Sequence, residues 1–171
     1  MSVILETGRL TLRELETTDL DAVADILADR EVMRHWPRPY TRDEAIDWIA
    51  RQRERYARDG HGYWLAVDRG TGHVVGQAGV MTIEVNRKPE AALGYILRRD
   101  FWGRGYATEA AAAVRDRAFA TTEHDRVVAL VRPVNLLSQR VARRLGMRPN
   151  GFTTYAGLEH VIFAVGRAVV V

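Results

Sequence analysis

The sequence predicts an α+β fold, a mostly antiparallel sheet flanked by about four helices. Three observations carry that prediction. Short stretches alternate polar and apolar residues, as half-buried strands do. Four other segments keep apolar residues at helical spacing. One strand–helix–strand run, Ala91 to Val131, implies a single parallel pairing in an otherwise antiparallel sheet.

The elements follow in order. Arg9-Leu10-Thr11-Leu12-Arg13 alternates as a strand. Thr18-Asp19-Leu20-Asp21 reads as an N-cap with acids in the first turn, and Leu20, Val23, Ile26 and Leu27 share one helical face. His35 to Tyr40 holds Pro37 and Pro39 and is a loop. Thr41-Arg42-Asp43-Glu44 is a capping box, and Ala45, Ile46, Ile49 and Tyr56 continue its helix. Tyr63 to Val67 and Val74 to Ile83 are strands joined by the turn Asp68 to Gly72. After the turn Asn86 to Pro89, Ala91 to Leu97 is a strand, Ala107 to Ala120 a helix, and Arg126 to Val131 a strand. Leu136 to Leu145 is a helix ended by Gly146. Phe152 to Tyr155 and His160 to Val165 are the last strands. With no repeat or linker in its 171 residues, the chain is expected to form one domain.

Composition excludes several chemistries. The chain has no cysteine, so thiolate nucleophiles, disulfides and cysteine-based zinc sites are ruled out. His35, His61, His73, His124 and His160 show no metal-ligand spacing, and no metal is expected. No apolar run reaches membrane-span length, and Met1 to Glu16 mixes charge too finely for a signal peptide. A cytoplasmic protein without a membrane partner is expected. The net charge of +3 mildly favours anionic ligands, but the arginines are scattered, which argues against nucleic acid as the main partner.

The most informative segment is the strand–turn–helix Leu97 to Ala110. Glycines 103 and 105 permit positive φ and close approach to a ligand. The helix that starts near Ala107 offers free N–H groups and a positive dipole end, so the turn can cradle a phosphate. A P-loop would need Gly-Lys-Ser/Thr, and a dinucleotide fingerprint would need a third glycine where Thr108 stands. On the glycines alone, a ligand-free tight turn is an equal reading.

Trp102-Gly103-Arg104-Gly105-Tyr106-Ala107-Thr108-Glu109-Ala110 resembles the acetyl-CoA pyrophosphate loop of the GNAT (GCN5-related N-acetyltransferase) superfamily. It is similar above all to the branch of RimJ/RimL-type ribosomal-protein N-terminal acetyltransferases. Glu6 to Arg13, Gly76-Gln77-Ala78-Gly79, Leu93-Gly94-Tyr95, and Arg132 to Val141 with Arg144-Leu145-Gly146-Met147 extend the likeness in the family's order. The resemblance implies a sheet that splays after a bulge, with the pantetheine arm of acetyl-CoA in the resulting V. It implies pairing of that arm with the main chain of Tyr95, Ile96 and Leu97. The pyrophosphate would lie on the amides of Gly103, Arg104, Gly105, Tyr106, Ala107 and Thr108. Trp102 stands where the family often has Gln or Arg, which shifts phosphate contact to those amides and the Arg104 side chain.

Asn135 has two compatible readings, a helix cap by spacing and a cofactor-arm ligand by resemblance. For Ser138 the resemblance implies a hydroxyl near the thioester sulfur that could protonate the leaving thiolate, although water can do the same. The family branch often carries Glu where Ala92 stands. Glu90, on the same strand face, is the candidate base acting through water; a solvated turn carboxylate is the plainer reading. Glu109, in a helix's first turn, is expected only to stabilise the dipole. His35, Trp36 and Tyr40 are candidate acceptor-pocket residues. A main-chain donor near Leu97 would polarise the carbonyl.

The expected function is acetyl-CoA-dependent transfer to a primary amine, with a peptide or protein N-terminus as acceptor and a small-molecule amine as the alternative. A non-catalytic acyl-CoA sensor is the reading from another class. A monomer or homodimer is expected.

Overall fold

The computed structural model describes residues 2–168. The strands are β1 (Val3–Glu6), β2 (Leu10–Arg13), β3 (Tyr63–Asp68), β4 (Val74–Val85), β5 (Lys88–Leu97), β6 (Arg126–Val131), β7 (Arg148–Tyr155) and β8 (Leu158–Gly166). The helices are α1 (Leu20–Ala28), α2 (Arg42–Asp59), α3 (Tyr106–Thr121) and α4 (Leu136–Arg144). All the strands join one sheet in the order β1-β2-β3-β4-β5-β6-β8-β7. Its only parallel neighbours among the described residues are β5 and β6, as the strand–helix–strand order predicts.

Local chemistry explains most boundaries. α2 starts at the expected capping box: the Glu44 amide donates to Thr41 Oγ1 at 3.2 Å, and the Thr41 amide to Glu44 Oε2 at 2.8 Å. α1 departs from expectation. A 3-10 turn, Thr17–Asp19, precedes it, and no Thr18 side-chain cap forms. Asp19 is held instead by the Glu16 amide (2.8 Å) and by both terminal nitrogens of Arg13 (2.8 and 2.7 Å), which spend its carboxylate on the preceding turn.

Strand alternation sends side chains to two main cores, with a smaller cluster of Val85, Ala92, Val128 and Ile162. Leu10, Leu12, Trp64, Val127 and Phe163 pack under α3 and α4 with Val114 and Ala142. Leu65, Met81 and Ile96 pack against Val23, Leu27, Trp48 and Ile49 of α1 and α2. Side chains of this kind each gain about 1.5–3 kcal/mol on burial, so both helical layers are firmly held.

The sheet opens between β5 and β6. β4 and β5 stay in register from Gly76↔Leu97 to Val85↔Lys88, while β5 and β6 pair only at Ala91↔Val127 and Ala92↔Val128. Beyond Ala92 the two strands diverge into the expected V, and among the described residues the edge from Leu93 to Leu97 has no strand beside it on that side. The expected bulge is absent at this point. Register shifts lie elsewhere, between β3 and β4 near Ala66 and Val67, and in the β1–β2 and β7–β8 pairs.

Candidate functional site

Two clefts meet at the mouth of the V. One, of 370 Å³, runs past the end of β5, the glycine turn and the start of α3. The other, of 620 Å³, lies on the α2 side. His35, Trp36, Tyr95, Asn135, Ser138 and Val141 line both.

The first cleft has the geometry of an anion cradle. Gly103 and Gly105 adopt φ of 72° and 81°, in the left-handed region where a side chain is strained. Among the described residues, the amides from Gly103 to Thr108 make no hydrogen bond outside the helix. The Glu109 amide is the first to reach back, 3.0 Å to the Gly105 carbonyl. Arg34, Arg140 and Arg144 line the same cleft and were not anticipated, because arginines are spread throughout the sequence and only the fold gathers these three.

The cradle is braced from behind by the N-terminal strands. Arg9 Nε donates to Glu109 Oε2 at 2.7 Å, its Nη1 donates to the Arg104 carbonyl at 2.9 Å, and its guanidinium lies 4.1 Å from the Tyr106 ring centroid. Thr7 Oγ1 donates to Glu109 Oε1 at 2.6 Å. Glu109 therefore does more than complement the dipole, since it ties α3 to the turn between β1 and β2. Tyr106 donates to Asp68, whose other oxygen accepts from the Gly70 and Thr71 amides at 2.9 and 2.8 Å. Those bonds hold the Asp68 carboxyl down at about 2.

Of the residues expected to bind cofactor, Tyr95, Ile96, Leu97, Trp102, Gly103, Gly105, Tyr106, Ala107, Thr108, Asn135 and Ser138 all line this cleft. Arg104 does not. Its carbonyl is taken by Arg9 and its guanidinium sits 5.7 Å from the Phe101 ring centroid. The Trp102 indole donates to the Leu97 carbonyl at 3.0 Å, so that carbonyl is already engaged while the strand edge before it stays open. Asn135 does cap α4: its Oδ1 accepts from the Ser138 amide at 3.2 Å, and its Nδ2 remains available to a ligand.

At the junction, Tyr95 Oη donates to Ser138 Oγ at 2.9 Å. Burial pushes the Tyr95 phenol up and the Ser138 bond opposes it, leaving the phenol protonated at neutral pH. Nothing local in the sequence indicates that β5 and α4 bring these hydroxyls together.

His35, Trp36 and Tyr40 line the second cleft as expected. Trp36 packs edge-on to Tyr40 (6.0 Å) and to Trp48 (6.2 Å), and Trp48 is fixed by donating to Gln77 Oε1 at 2.8 Å. Glu90 is a correction. It lines neither cleft and is buried rather than solvated. The β5–β6 register sets Arg126 beside it, and that guanidinium grips both carboxylate oxygens through Nε (3.0 and 3.2 Å) and through Nη2. Buried away from both clefts and paired with Arg126, this carboxylate is not placed to meet an amine there.

Two histidines line the second cleft and differ in what they present. His35 Nε2 accepts from Arg34 Nε at 3.1 Å, so its ring lone pair is taken. His160 Nδ1 lies 2.8 Å from the Leu158 carbonyl, which can only accept. The proton must therefore sit on Nδ1, leaving the Nε2 lone pair free. Burial, aided by Arg132 and opposed by the Leu158 bond, lowers the His160 pKa and keeps the ring neutral. Histidine spacing along the sequence carries no sign of such a role.

Known proteins share this architecture. The acetyltransferase (GNAT) domain model matches residues 9–148. The uncharacterised protein YkkB of Bacillus subtilis is 31% identical over 144 residues, 84% of each chain. An acetyltransferase from Agrobacterium tumefaciens superposes with a TM-score of 0.83 at 30% identity, covering 98% of this chain and 96% of that one. RimL, a ribosomal L7/L12 alpha-N-protein acetyltransferase solved in complex with coenzyme A, shares the fold with a TM-score of 0.80 at 20% identity over 96% of this chain and 98% of its own. The open β5 edge and the free amides after it have the donor set such a cofactor needs. The chain belongs to the GNAT family, an acyltransferase whose co-substrate is acetyl-CoA.

Proposed function

We propose that the protein acetylates a primary amine, the α-amine of a peptide or protein N-terminus, by direct attack of the amine on the thioester. The observation that carries this reading is the meeting of the two clefts at Tyr95 and Ser138, one shaped for a phosphorylated cofactor and the other open to an acceptor. The Gly103–Thr108 amides hold the pyrophosphate, and the open β5 edge and Asn135 hold the arm. When bound, acetyl-CoA supplies an activated acyl carbon and a thiolate leaving group.

The side chains then divide the proton transfers. His160 Nε2 takes the proton the amine sheds as its nitrogen bonds to the acyl carbon. As the carbon–sulfur bond breaks, Ser138 gives a proton to the sulfur and recovers one from Tyr95. Solvent resets Tyr95 and His160 after release.

The weakness of this base supports an α-amine acceptor. Freeing an α-amine at pH 7 costs about 1 kcal/mol, whereas a lysine side chain costs about 4–5 kcal/mol. A neutral imidazole suits the smaller task. The decisive experiment incubates the protein with acetyl-CoA and peptides carrying both a free α-amine and an internal lysine, then maps the acetyl group by mass spectrometry. Acetyl on the α-nitrogen is expected. Acetyl on lysine alone, or turnover confined to aminoglycosides, would overturn the acceptor assignment.

A further inference from the structure

The acceptor cleft carries more positive charge than acetyl transfer requires. α2 presents Glu44, Asp47, Arg51 and Arg55 to it, spaced three or four residues apart and so on one helical face. Arg132, at the end of β6, faces the cleft from the sheet. Glu44 is occupied by Arg38, with Oε2 2.8 Å from Nη1. Asp47 is thus left as the one acid of this face against Arg51, Arg55 and Arg132. Among the described residues none of these three arginines has an ion-pair partner.

Two of the three hide atoms from water without satisfying them. Arg55 Nη1 and Arg132 Nε are buried and have no hydrogen-bond partner. A buried guanidinium N–H left unpaired is among the more expensive polar vacancies, which argues that an acceptor group belongs there. Their positions bear on the chemistry. Arg55 acts electrostatically on Tyr63, whose phenol lies against Gly94, so tightly that a Cβ there would meet Tyr63 Oη at 1.9 Å; Gly94 is on the open edge of β5. Arg132 Nη1 reaches the His35 carbonyl at 3.3 Å. None of the three lines the cofactor cleft, which has Arg34, Arg140 and Arg144 of its own, so cofactor phosphates do not account for them.

A polycation would be repelled here, and a neutral acceptor, even one that accepts hydrogen bonds, would leave the guanidinium charges without a counter-charge. A carboxylate fits the guanidinium fork bidentately. Asp47 on the same wall penalises a phosphate dianion more than a single negative charge. We propose that the acceptor is a primary amine that also carries a carboxylate, bound by Arg55 and Arg132 with Arg51 at the exposed mouth. The proposal rests on the amine-acetyltransferase reading and specifies its substrate class. The carboxylate can come from a free amino acid or from an acidic side chain just after a peptide N-terminus.

The test measures CoA release at saturating acetyl-CoA with matched acceptors. One arm compares glutamate with its diamide. A second compares peptides bearing Asp or Asn at the second and third positions. A third offers spermine and kanamycin. In at least one of the first two arms the acidic member is expected to exceed its amide about tenfold in kcat/KM, mainly through KM, and the polycations to turn over least. Arg51→Gln and Arg55→Gln should each shrink that preference to within about threefold, with acetyl-CoA binding by calorimetry unchanged. Equal turnover of acid and amide in both arms, a preference for polycations, or full selectivity retained in both variants would overturn the proposal and leave the acetyltransferase reading standing. Acetyl-CoA binding without turnover of any acceptor would overturn both.

Discussion

The Tyr95 phenol donates to the Ser138 hydroxyl at 2.9 Å, across the gap between a sheet edge and the first turn of α4. Two protonated hydroxyls in series form a short proton path to the place where the thioester sulfur is expected. Ser138→Ala and Tyr95→Phe should both lower kcat, by up to about a hundredfold. Acetyl-CoA affinity should change by less than about threefold, because general-acid catalysis acts on the transition state and not on ground-state binding. Stopped-flow turnover with calorimetric binding separates the two effects, and an unchanged kcat in both variants would remove the path.

The His160 tautomer sets a pH dependence. Burial and Arg132 lower its pKa, while Tyr155 contributes only a ring edge 6.1 Å away. The base works when unprotonated, so kcat/KM rises with pH through the lowered His160 pKa and levels once the acceptor amine is also free. His160→Gln should remove that lower limb and cost about a hundredfold with an α-amine acceptor. Acceptor amines of low pKa, which shed their proton unaided, should be affected far less. A pH–rate profile that is the same in variant and parent would exclude His160.

Gly105 stands at φ 81°, and a Cβ there would come 3.4 Å from Arg9 Nη2. Gly105→Val should cost about 1–2 kcal/mol in backbone strain. It would also turn the amides away from the phosphates, so calorimetric affinity for acetyl-CoA should fall by more than the strain alone explains. Unchanged affinity would contradict the cradle assignment.

The brace behind the cradle should register in stability. Burial pushes the Glu109 carboxyl up, but hydrogen bonds from Thr7 and Arg9 outweigh it and hold the pKa below the usual value. A carboxyl depressed in the folded state stabilises above its unfolded pKa, and that contribution disappears as pH falls through the folded one. Glu109→Gln should therefore lower the unfolding free energy from urea titration at pH 7 by about 1 kcal/mol, given the half-exposed Arg9, and have little effect in acid.

Much of the architecture was legible because its signals are local. The Thr41–Glu44 box, the Arg126–Val131 strand and the glycine turn each announce themselves within a few residues. What stayed hidden depends on partners far away in the chain. Alternation correctly put Glu90 on the Ala92 face, but only the β5–β6 register delivers Arg126 to it. β1 is four residues long and pairs with β2 alone, too short for alternation to register. The first half of β7 went unseen because Arg148 to Gly151 are exposed and carry no apolar period. The role of His160 depends on a carbonyl two residues away, a matter of backbone path rather than composition.

The sparse contact between β5 and β6 has a thermodynamic consequence. Among the described residues, backbone pairing between the strands before the V and those after it is confined to Ala91↔Val127 and Ala92↔Val128. On the proposed binding mode, a pantetheine arm along Leu93 to Leu97 would supply the missing rungs, so acetyl-CoA would act as removable mortar as well as reagent. By linkage, ligand at a hundred times its dissociation constant adds about 2.7 kcal/mol to the folded state. Amide hydrogen exchange along that edge of β5 should slow most, because there the added protection is made by the ligand itself.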